Sequence, residues 1–578
     1  MPNPVIYSKE PEDFYYMDVN VPCQSACPAL TNIPAYIRAL YEENFGRSYE
    51  INRMANIFPG VLGRICSRPC EAKCRHGEAE LGRPVNICHI KRSAADLRDR
   101  VSSSVKRIFS PTGKSVAVIG SGPAGLAAAH DLSTIGFSVT VFEALDHPGG
   151  MLRYGIPEFR LPRETLATEI DQILGSGITL KTGIKVGTDV PMEDLMTVHD
   201  AVLVSTGCYE PNQLNIPGET MPGVYSGLQF MMDICAGKMP DLGKRVLVLG
   251  AGFTAFDCVR SALRLGAEEV AVCLRRTEED LTVTEDEIFE TKREGVKIHS
   301  LMVSRRIMGN GVVEGVEFMR TRPGELRSDG KSEVTPIEGS EFTLPTDAVI
   351  VATGQRPQPF DTPGDKNNHG LLQADSASFR TSLPGLYVTG DYLTGPSTVI
   401  EAVAMGRKAA ERIARDLTDQ PFREKVVRLE DTLITDRQRA WDFLPRQEMP
   451  TIEPVEDRFT GMTGEVETGY SPDLAETESK RCYLCYLHYE IDLSRCIYCR
   501  YCIDVAPRDC IKLVDRIETN TSGAITGFEE TSNWEDVNAI VIDNTRCIRC
   551  GECMRVCPVD CISVTRVELT ERMNEKGI

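Results

Sequence analysis

The sequence predicts a multidomain chain: a small helical domain rich in cysteine, an α/β core built on two nucleotide-binding units, and a small α+β domain that gathers cysteine again. Three observations predict this. The 21 cysteines cluster, with six before residue 90, eleven after residue 480 and four between. From 111 to 415, β-branched runs alternate with helical patterns, the order that builds parallel sheets. Finally, CIYCRYCIDVAPRDCI at 496–511 realigns on CIRCGECMRVCPVDCI at 547–562, an offset of 51 residues, which suggests a pseudo-twofold module. The expected domains are 1–110 (helical), 111–210 with 346–415 (first nucleotide unit, in two parts), 211–345 (second unit), 416–480 (a polar, acidic connecting arm) and 481–578.

Composition narrows the function classes. With 578 residues, 42% hydrophobic and 26% charged, the chain has the balance of a soluble globular protein with several cores. No apolar run is long enough for a membrane span. MPNPVIYSKEPEDFYYMDVNVPCQS has neither a basic start nor an apolar stretch, so no secretory signal is read and a cytoplasmic protein is expected. A net charge of −20 argues against a nucleic-acid partner, whose phosphates it would repel. In a reducing compartment so many thiols point to metal ligands rather than disulfides. There are only eight histidines and no Ser/His/Asp or metal-hydrolase constellation, so hydrolysis is disfavoured.

In chain order, short helices are predicted over 33–43 and 90–105. Ser115-Val-Ala-Val-Ile119 reads as a buried strand running into Gly120-Ser-Gly122-Pro123-Ala124-Gly125, then a helix, then the strand 138–142 ending in Glu143. This is a dinucleotide fingerprint in its required context. Gly120 allows the tight turn, Gly122 lets backbone approach a pyrophosphate, and Gly125 lets helix and strand pack. The helix N-terminus offers N–H groups to phosphate, and Glu143, 18 residues after Gly125, is placed for ribose hydroxyls.

A second unit begins at Arg245-Val-Leu-Val-Leu249, turns at Gly250-Ala-Gly252-Phe-Thr254-Ala255, and has its next strand, 270–274, ending in Arg275-Arg276. Two guanidiniums there suit the 2′-phosphate of NADP(H); the alternative is a solvated basic edge. Asp347-Ala-Val-Ile-Val-Ala-Thr-Gly354 reads as a strand closing on a glycine turn, followed by Leu386-Tyr-Val-Thr-Gly390-Asp391 and by Ser397-Thr398-Val399-Ile400 opening a helix. Two such units, the first completed by these returning segments, resemble the two-dinucleotide flavoproteins. That resemblance implies Gly390, Asp391, Thr398 and Val399 as FAD contacts, with the last helix pointing its N-terminus at the flavin ring. No Cys-x-x-Cys lies in this zone, which argues against disulfide-reductase chemistry. Cys208, Cys235, Cys258 and Cys273 read as small core hydrophobes.

Cys547-x2-Cys550-x2-Cys553-x3-Cys557-Pro558 is the bacterial-ferredoxin cysteine run. In it three thiolates serve one [4Fe-4S] cluster and the fourth serves the other. Cluster A is then completed as Cys496, Cys499, Cys502 and Cys557. The sister run carries Ala506 where its fourth cysteine belongs, so cluster B has Cys547, Cys550 and Cys553. Its fourth ligand is Cys510, at the position matching Cys561, or else the cluster is a three-iron form or uses a non-cysteine ligand.

VPCQSACPALTNIPAYI, GRICSRPCEAKCRHG and VNICHIKRSAAD, with MLRYGIPEFRLPRE, GFTAFDCVRSALRLGA and GPSTVIEAVAMGRKAA, resemble the small (beta) subunit of bacterial glutamate synthase. They are also similar to the N-terminal part of dihydropyrimidine dehydrogenase and to NADPH-linked ferredoxin oxidoreductase subunits. The resemblance covers roughly 20–415, and only some relatives carry the C-terminal module. It adds Gly150, Met151 and Arg153 to the expected FAD contacts, and Gly354 to those of NADP(H).

Two departures stand out. Relatives place a Cys-x2-Cys a few residues before the position of Cys23, where this chain has none, but Cys482 and Cys485 repeat that pattern ahead of the C-terminal module. One hypothesis is that they fold back to join Cys23 and Cys74 in one cluster, leaving Cys27, Cys66, Cys70 and Cys88 to hold another. The alternative is a single N-terminal cluster with structural thiols. The second departure is Phe253, where relatives carry Asp.

The expected function is an NADPH-dependent FAD and iron–sulfur oxidoreductase with three or four [4Fe-4S] clusters. It would work as a subunit of a hetero-oligomer, exchanging electrons with ferredoxin or a larger catalytic redox subunit. The alternatives are a self-standing NADPH–ferredoxin oxidoreductase, with or without flavin-based bifurcation, and a non-enzymatic electron-wiring subunit. The direction of flow is open.

Overall fold

SVAVI at Ser115–Ile119 is buried from its second residue onward, and it forms the centre of a five-stranded parallel sheet. The computed structural model describes residues 15–78, 82–99, 110–326, 332–418, 423–432, 437–519 and 525–573. The sheet runs Leu386–Val388, Ala201–Val204, Ser115–Ile119, Ser138–Phe142, Thr179–Lys181. A second sheet repeats the plan: Val224–Ser226, Ala348–Val351, Arg245–Leu249, Glu269–Cys273, Lys297–His299. Every neighbouring pair in both is parallel, and helices cover their faces, as uniformly apolar strands require.

Both sheets belong to one of two units, made of Ser103–Asp419 and Thr451–Thr468; the other comprises Met1–Ser102, Gln420–Pro450 and Gly469–Ile578. Two findings differ from the sequence reading of the α/β unit. Ala348–Val351, expected to return to the first sheet, pairs with Arg245–Leu249 and Val224–Ser226 in the second. An all-apolar strand satisfies either sheet, so its composition does not say which. Between the second sheet's last two strands in sequence lies an antiparallel meander of Met302–Met308, Gly315–Leu326, Ser332–Pro336 and Phe342–Pro345, which sequence periodicity did not announce.

In the other unit, the helix expected over 33–43 is Ile33–Tyr41, capped by the Asn32 side chain accepting from the Ala35 N–H. The helix expected over 90–105 is Ile87–Asp96; residues 100–105 lie outside the described residues. The 416–480 segment is not a bare tether. Arg423–Thr432 pairs along its length with Ile562–Met573, and Pro472–Lys480 is a helix leading straight into Cys482. A second three-stranded sheet sets Ile511–Thr519 between Ile525–Glu530 and Ala539–Ile542. Among the described residues no helix is long and apolar enough to cross a membrane.

Candidate functional site

A cavity of about 640 Å³ opens at the carboxyl ends of the first sheet, the place where open α/β sheets take ligands. Of the thirteen residues expected around FAD, ten line it: Gly120, Gly122, Pro123, Ala124, Glu143, Gly150, Met151, Asp391, Thr398 and Val399. Gly125 and Gly390 stand behind the wall. A Cβ on Gly125 would meet the Gly120 carbonyl oxygen at 2.1 Å and Ser205 Oγ at 2.6 Å, so only hydrogen lets the helix Pro123–Thr134 seat against the turn. At Gly122 an added Cβ would meet nothing within 4 Å, so here the bare backbone faces open space and a phosphate has a cradle. Arg153, on the short helix Met151–Tyr154, does not line the cavity.

Glu143 is buried and held in place. One carboxylate oxygen accepts from the Ser121 N–H at 2.9 Å and the Ser121 hydroxyl at 2.5 Å, and the other accepts from the Leu145 N–H at 2.9 Å. A carboxylate has about four lone-pair directions, so capacity remains for a hydroxyl in the cavity. Opposite, Thr398 caps the helix Val399–Thr418 reciprocally with Glu401. The Glu401 N–H donates to Thr398 Oγ1 at 3.4 Å, while Glu401 accepts from the Thr398 N–H at 2.8 Å and hydroxyl at 2.7 Å. That end faces the cavity through Ser397, Thr398 and Val399, giving it a positive dipole end. Asp391 accepts from Ser397 Oγ at 2.5 Å and from its N–H at 3.2 Å. Burial nevertheless pushes its carboxyl up to about 6, against the pull of those two bonds. Ser121, Tyr209 and the strip 358–361 also line the cavity. Sequence reading missed them: Ser121 is a variable position within the fingerprint, and the others carry no motif.

In the second unit, Gly250 backs onto Ala352, whose carbonyl oxygen would lie 2.3 Å from an added Cβ, while Gly252 faces open space. Thr254 and Ala255 begin the helix Phe253–Arg264, with Ala255 fully buried. Arg275 is exposed just past the strand Glu269–Cys273, and Arg276 beside it donates through Nε to the Ser332 carbonyl at 2.7 Å. Gly354 accepts from the Asn212 N–H at 3.0 Å next to the ribbon Glu210–Pro211 with Gln355–Arg356, the two passages of the chain between the sheets. Phe253 lies 5.8 Å under the Arg160 guanidinium, which pairs with Asp257 at 2.7 Å one turn further on. Asp257 is itself buried there.

The sixteen cysteines expected as ligands fall into four groups, all in the other unit. Cys23, Cys74, Cys482 and Cys485 line one small cavity with Ile33, Ile37 and Ile87. The fold-back thiols therefore meet the N-terminal ones. Burial pushes Cys74 up to about 11 and Cys482 to about 12; at Cys23 burial acts together with Cys485, Cys74 and Cys482. Cys66, Cys70 and Cys88 are within reach of one another's charge, as is the buried Lys91, which also feels Cys27. Cys510 is within reach of the charge of Cys547, Cys553 and Cys550, the place left open by Ala506. Cys496, Cys499, Cys502 and Cys557 line a second small cavity together with Cys561.

These donor sets fit iron–sulfur clusters. Burial raises Cys23, Cys74, Cys482 and Cys553, so these thiols hold their protons until a bound cation draws them off, whereas Cys547, beside Cys510 and Arg549, is lowered to about 6. The Cys23 group and the Cys496 group each surround a small cavity, and the run Cys547 to Pro558 has the iron–sulfur spacing. The groups follow one another. Cys553 and Cys502 feel each other's charge. Arg437 donates to the Cys482 carbonyl at 3.0 Å and the Ile548 carbonyl at 2.9 Å. The fully buried Tyr36 is within reach of the charge of Cys70, Cys88, Cys23 and Cys27.

Residues 114–406 match the family model for pyridine nucleotide-disulphide oxidoreductases, 18–102 the model for dihydropyrimidine dehydrogenase domain II with its 4Fe-4S cluster, and 495–561 the 4Fe-4S dicluster domain. The chain is 34% identical to the NADP(+)-dependent formate dehydrogenase subunit beta of Moorella thermoacetica over 508 residues, 81% of this chain and 71% of that protein. It is 32% identical to the NADPH-Fe(3+) oxidoreductase subunit beta of Geobacter sulfurreducens over 505 residues, 80% and 75%. Against the glutamate synthase [NADPH] small chain of Escherichia coli it is 35% identical over 418 residues, 68% and 87%.

Proposed function

Because the chain belongs to the pyridine nucleotide-disulphide oxidoreductase family and is homologous to the glutamate synthase small chain and the beta subunits of NADP-linked oxidoreductases, we propose that it is an NADPH-dependent flavin and iron–sulfur oxidoreductase subunit. It passes electrons between NADP(H), FAD and four [4Fe-4S] clusters, to or from a partner protein. The observation that carries this reading is the series of four cysteine groups in one unit of a chain whose other unit holds two dinucleotide turns.

The residues divide the work. The Gly120–Gly125 turn and the N-terminus of Pro123–Thr134 bind the FAD pyrophosphate, Glu143 fixes its ribose, and Asp391 with Ser397 orients the ribityl chain. The capped end of Val399–Thr418 sets a positive dipole against the ring. Bound flavin supplies the exchange between two-electron hydride chemistry and single-electron transfer. The Gly250–Gly252 turn takes the second dinucleotide, and Arg275 and Arg276 select its 2′-phosphate. No side chain is needed as acid or base for hydride transfer.

Cys23, Cys74, Cys482 and Cys485 hold one cluster; Cys27, Cys66, Cys70 and Cys88 hold the next. Cys510 with Cys547, Cys550 and Cys553 completes cluster B, and the Cys496 group holds cluster A. We read the helical N-terminal domain and the bacterial-ferredoxin-like C-terminal domain as carriers of these four. Cluster A is the exchange port, since Cys496, Cys499 and Cys557 are all half-exposed and Ile497 and Tyr501 beside them are exposed apolar side chains. The partner is a larger catalytic redox subunit or ferredoxin, in the cytoplasm, where such thiols stay reduced.

The test is anaerobic titration of iron-reconstituted protein with NADPH and with NADH, following flavin and cluster absorbance. The expected result is bleaching of both at low NADPH, with about 16 irons per FAD. A flavin- and iron-loaded sample that neither nucleotide bleaches overturns the proposal.

A further inference from the structure

The cavity assigned to cluster A is lined by five cysteines, not four: Cys561 joins Cys496, Cys499, Cys502 and Cys557. Cys561 Sγ lies 3.5 Å from Cys557 Sγ, and its N–H donates to the Cys557 sulfur at 3.4 Å. It shares the cavity with Cys496, the first thiol of the cluster A loop, and is within reach of its charge. The internal repeat gives this position a precedent. Realigning 496–511 on 547–562 equates Cys561 with Cys510, and Cys510 is within reach of the charge of Cys547, the first thiol of the cluster B loop. The two halves are thus reciprocal: each places a cysteine, four residues beyond the position of Ala506 or Cys557, against the first thiol of one loop. In cluster B that position is the only cysteine ready to serve as fourth ligand. In cluster A it stands beside one that already occupies the usual place.

We propose that cluster A has two interchangeable fourth ligands, Cys557 and Cys561. Resting on the cluster assignments above, this extends them by a coordination site that the cysteine spacing alone did not assign. In the exchange an Fe–S bond to Cys561 forms as the bond to Cys557 breaks. The proton of the Cys561 thiol passes to the departing Cys557 sulfur across 3.5 Å, and no electron is gained or lost. The two forms differ in solvent contact, because Cys557 is half-exposed and Cys561 buried, so cluster A would have two environments and would outlast loss of either thiol. The bland reading of Cys561 as a core thiol explains its burial but not its contacts with two ligand sulfurs.

The experiment uses the full chain, anaerobically reconstituted, as C557A, C561A and the double variant. Iron per flavin and the electron paramagnetic resonance of the oxidised protein are read alongside circular dichroism and NADPH bleaching of the flavin. Each single variant is expected to keep wild-type iron and show no three-iron signal; the double is expected to lose between about one and four irons per flavin and to show that signal when one is lost. If C557A alone matches the double, Cys561 is not a competent ligand; if C561A alone does, Cys557 is not; either overturns the proposal. Full iron in the double overturns it too. A wild type that takes up no cluster A at all sinks the cluster assignment itself, a separate failure. A measurement free of variants guards against misfolding: alkylation of the anaerobic wild-type holoprotein to completion, with peptide mapping. Label divided between Cys557 and Cys561 supports exchange, and label confined to one of them refutes it.

Discussion

Arg549 Nη2 reaches the backbone carbonyl of Cys485 at 3.4 Å and that of Asn544 at 2.8 Å, while Nε holds the Leu487 carbonyl at 3.2 Å and Nη1 that of Cys547. One fully buried cation therefore ties the Cys482–Cys485 loop to the loop that begins at Cys547. Bonds from a charged donor contribute about 1.5–3 kcal/mol each, and a stranded buried carbonyl costs comparably. Arg549→Met is expected to destabilise this unit by on the order of 3 kcal/mol or more, and Arg549→Lys by less, since an ammonium keeps fewer donors. Denaturant titration followed by cluster absorbance checks it; a Met variant with a wild-type midpoint would show that the tie carries no stability.

The fold-back of Cys482 and Cys485 onto Cys23 and Cys74 makes a quantitative prediction. Replacing both with Ala should lower iron by about four per flavin while NADPH still bleaches the flavin. Iron analysis decides it, and unchanged iron would leave those two thiols structural.

Gly125 has no room for a methyl group, with the Gly120 oxygen 2.1 Å from where it would sit. Gly125→Ala should cost about 1–3 kcal/mol and, by lifting the helix off the turn, weaken FAD retention. Thermal unfolding and gel-filtered flavin content measure the two effects; retained flavin at wild-type stability would contradict the packing described.

Charge at 275 and 276 is expected to set coenzyme choice. The double Ala variant should raise KM for NADPH roughly 10–100-fold, equivalent to about 1.5–3 kcal/mol for bonds to a charged group. KM for NADH should stay within a few-fold. Of the single variants, Arg275→Ala should have the larger effect, because Arg276 already spends Nε on Ser332. Equal losses for the two coenzymes would mean that the arginines only shape the edge.

Asp391 predicts a pH dependence. Burial, opposed by the Ser397 bonds and reinforced by Glu401, raises its carboxyl to about 6, so the folded chain holds the proton more tightly than the unfolded one. Its contribution is full below the ordinary carboxylate pKa and is lost as pH rises through about 6. In flavin-free protein Asp391→Asn should therefore be the more stable at pH 7, with the advantage shrinking as pH falls from 6 to 4. Melting curves at matched ionic strength test this, and a constant difference across that range would exclude titration of Asp391 as the cause.

Much of this was legible in the sequence because its signals are local. SVAVI and RVLVL are apolar runs ending on glycine turns, and the structure has them as strands in the same bounds, Ser115–Ile119 and Arg245–Leu249. Cysteine spacing within a loop is equally local. What was not legible depends on distant neighbours. AVIV at Ala348–Val351 fits any apolar sheet and joins the second; Tyr209 is a cavity residue only because the strand before it ends there. Cys561 looks like any core thiol until the chain returns it to Cys496.

The serial arrangement of the cysteine groups gives the molecule a sacrificial end. Air reaches the half-exposed sulfurs of Cys496, Cys499 and Cys557 before those of Cys510, Cys547, Cys550 and Cys553, which are all buried. Oxygen damage should then begin at the outlet and reach the buried Cys510 group later. An aerated sample would resemble a lamp with its plug burnt and its wiring sound: still reduced by NADPH, yet silent toward its partner.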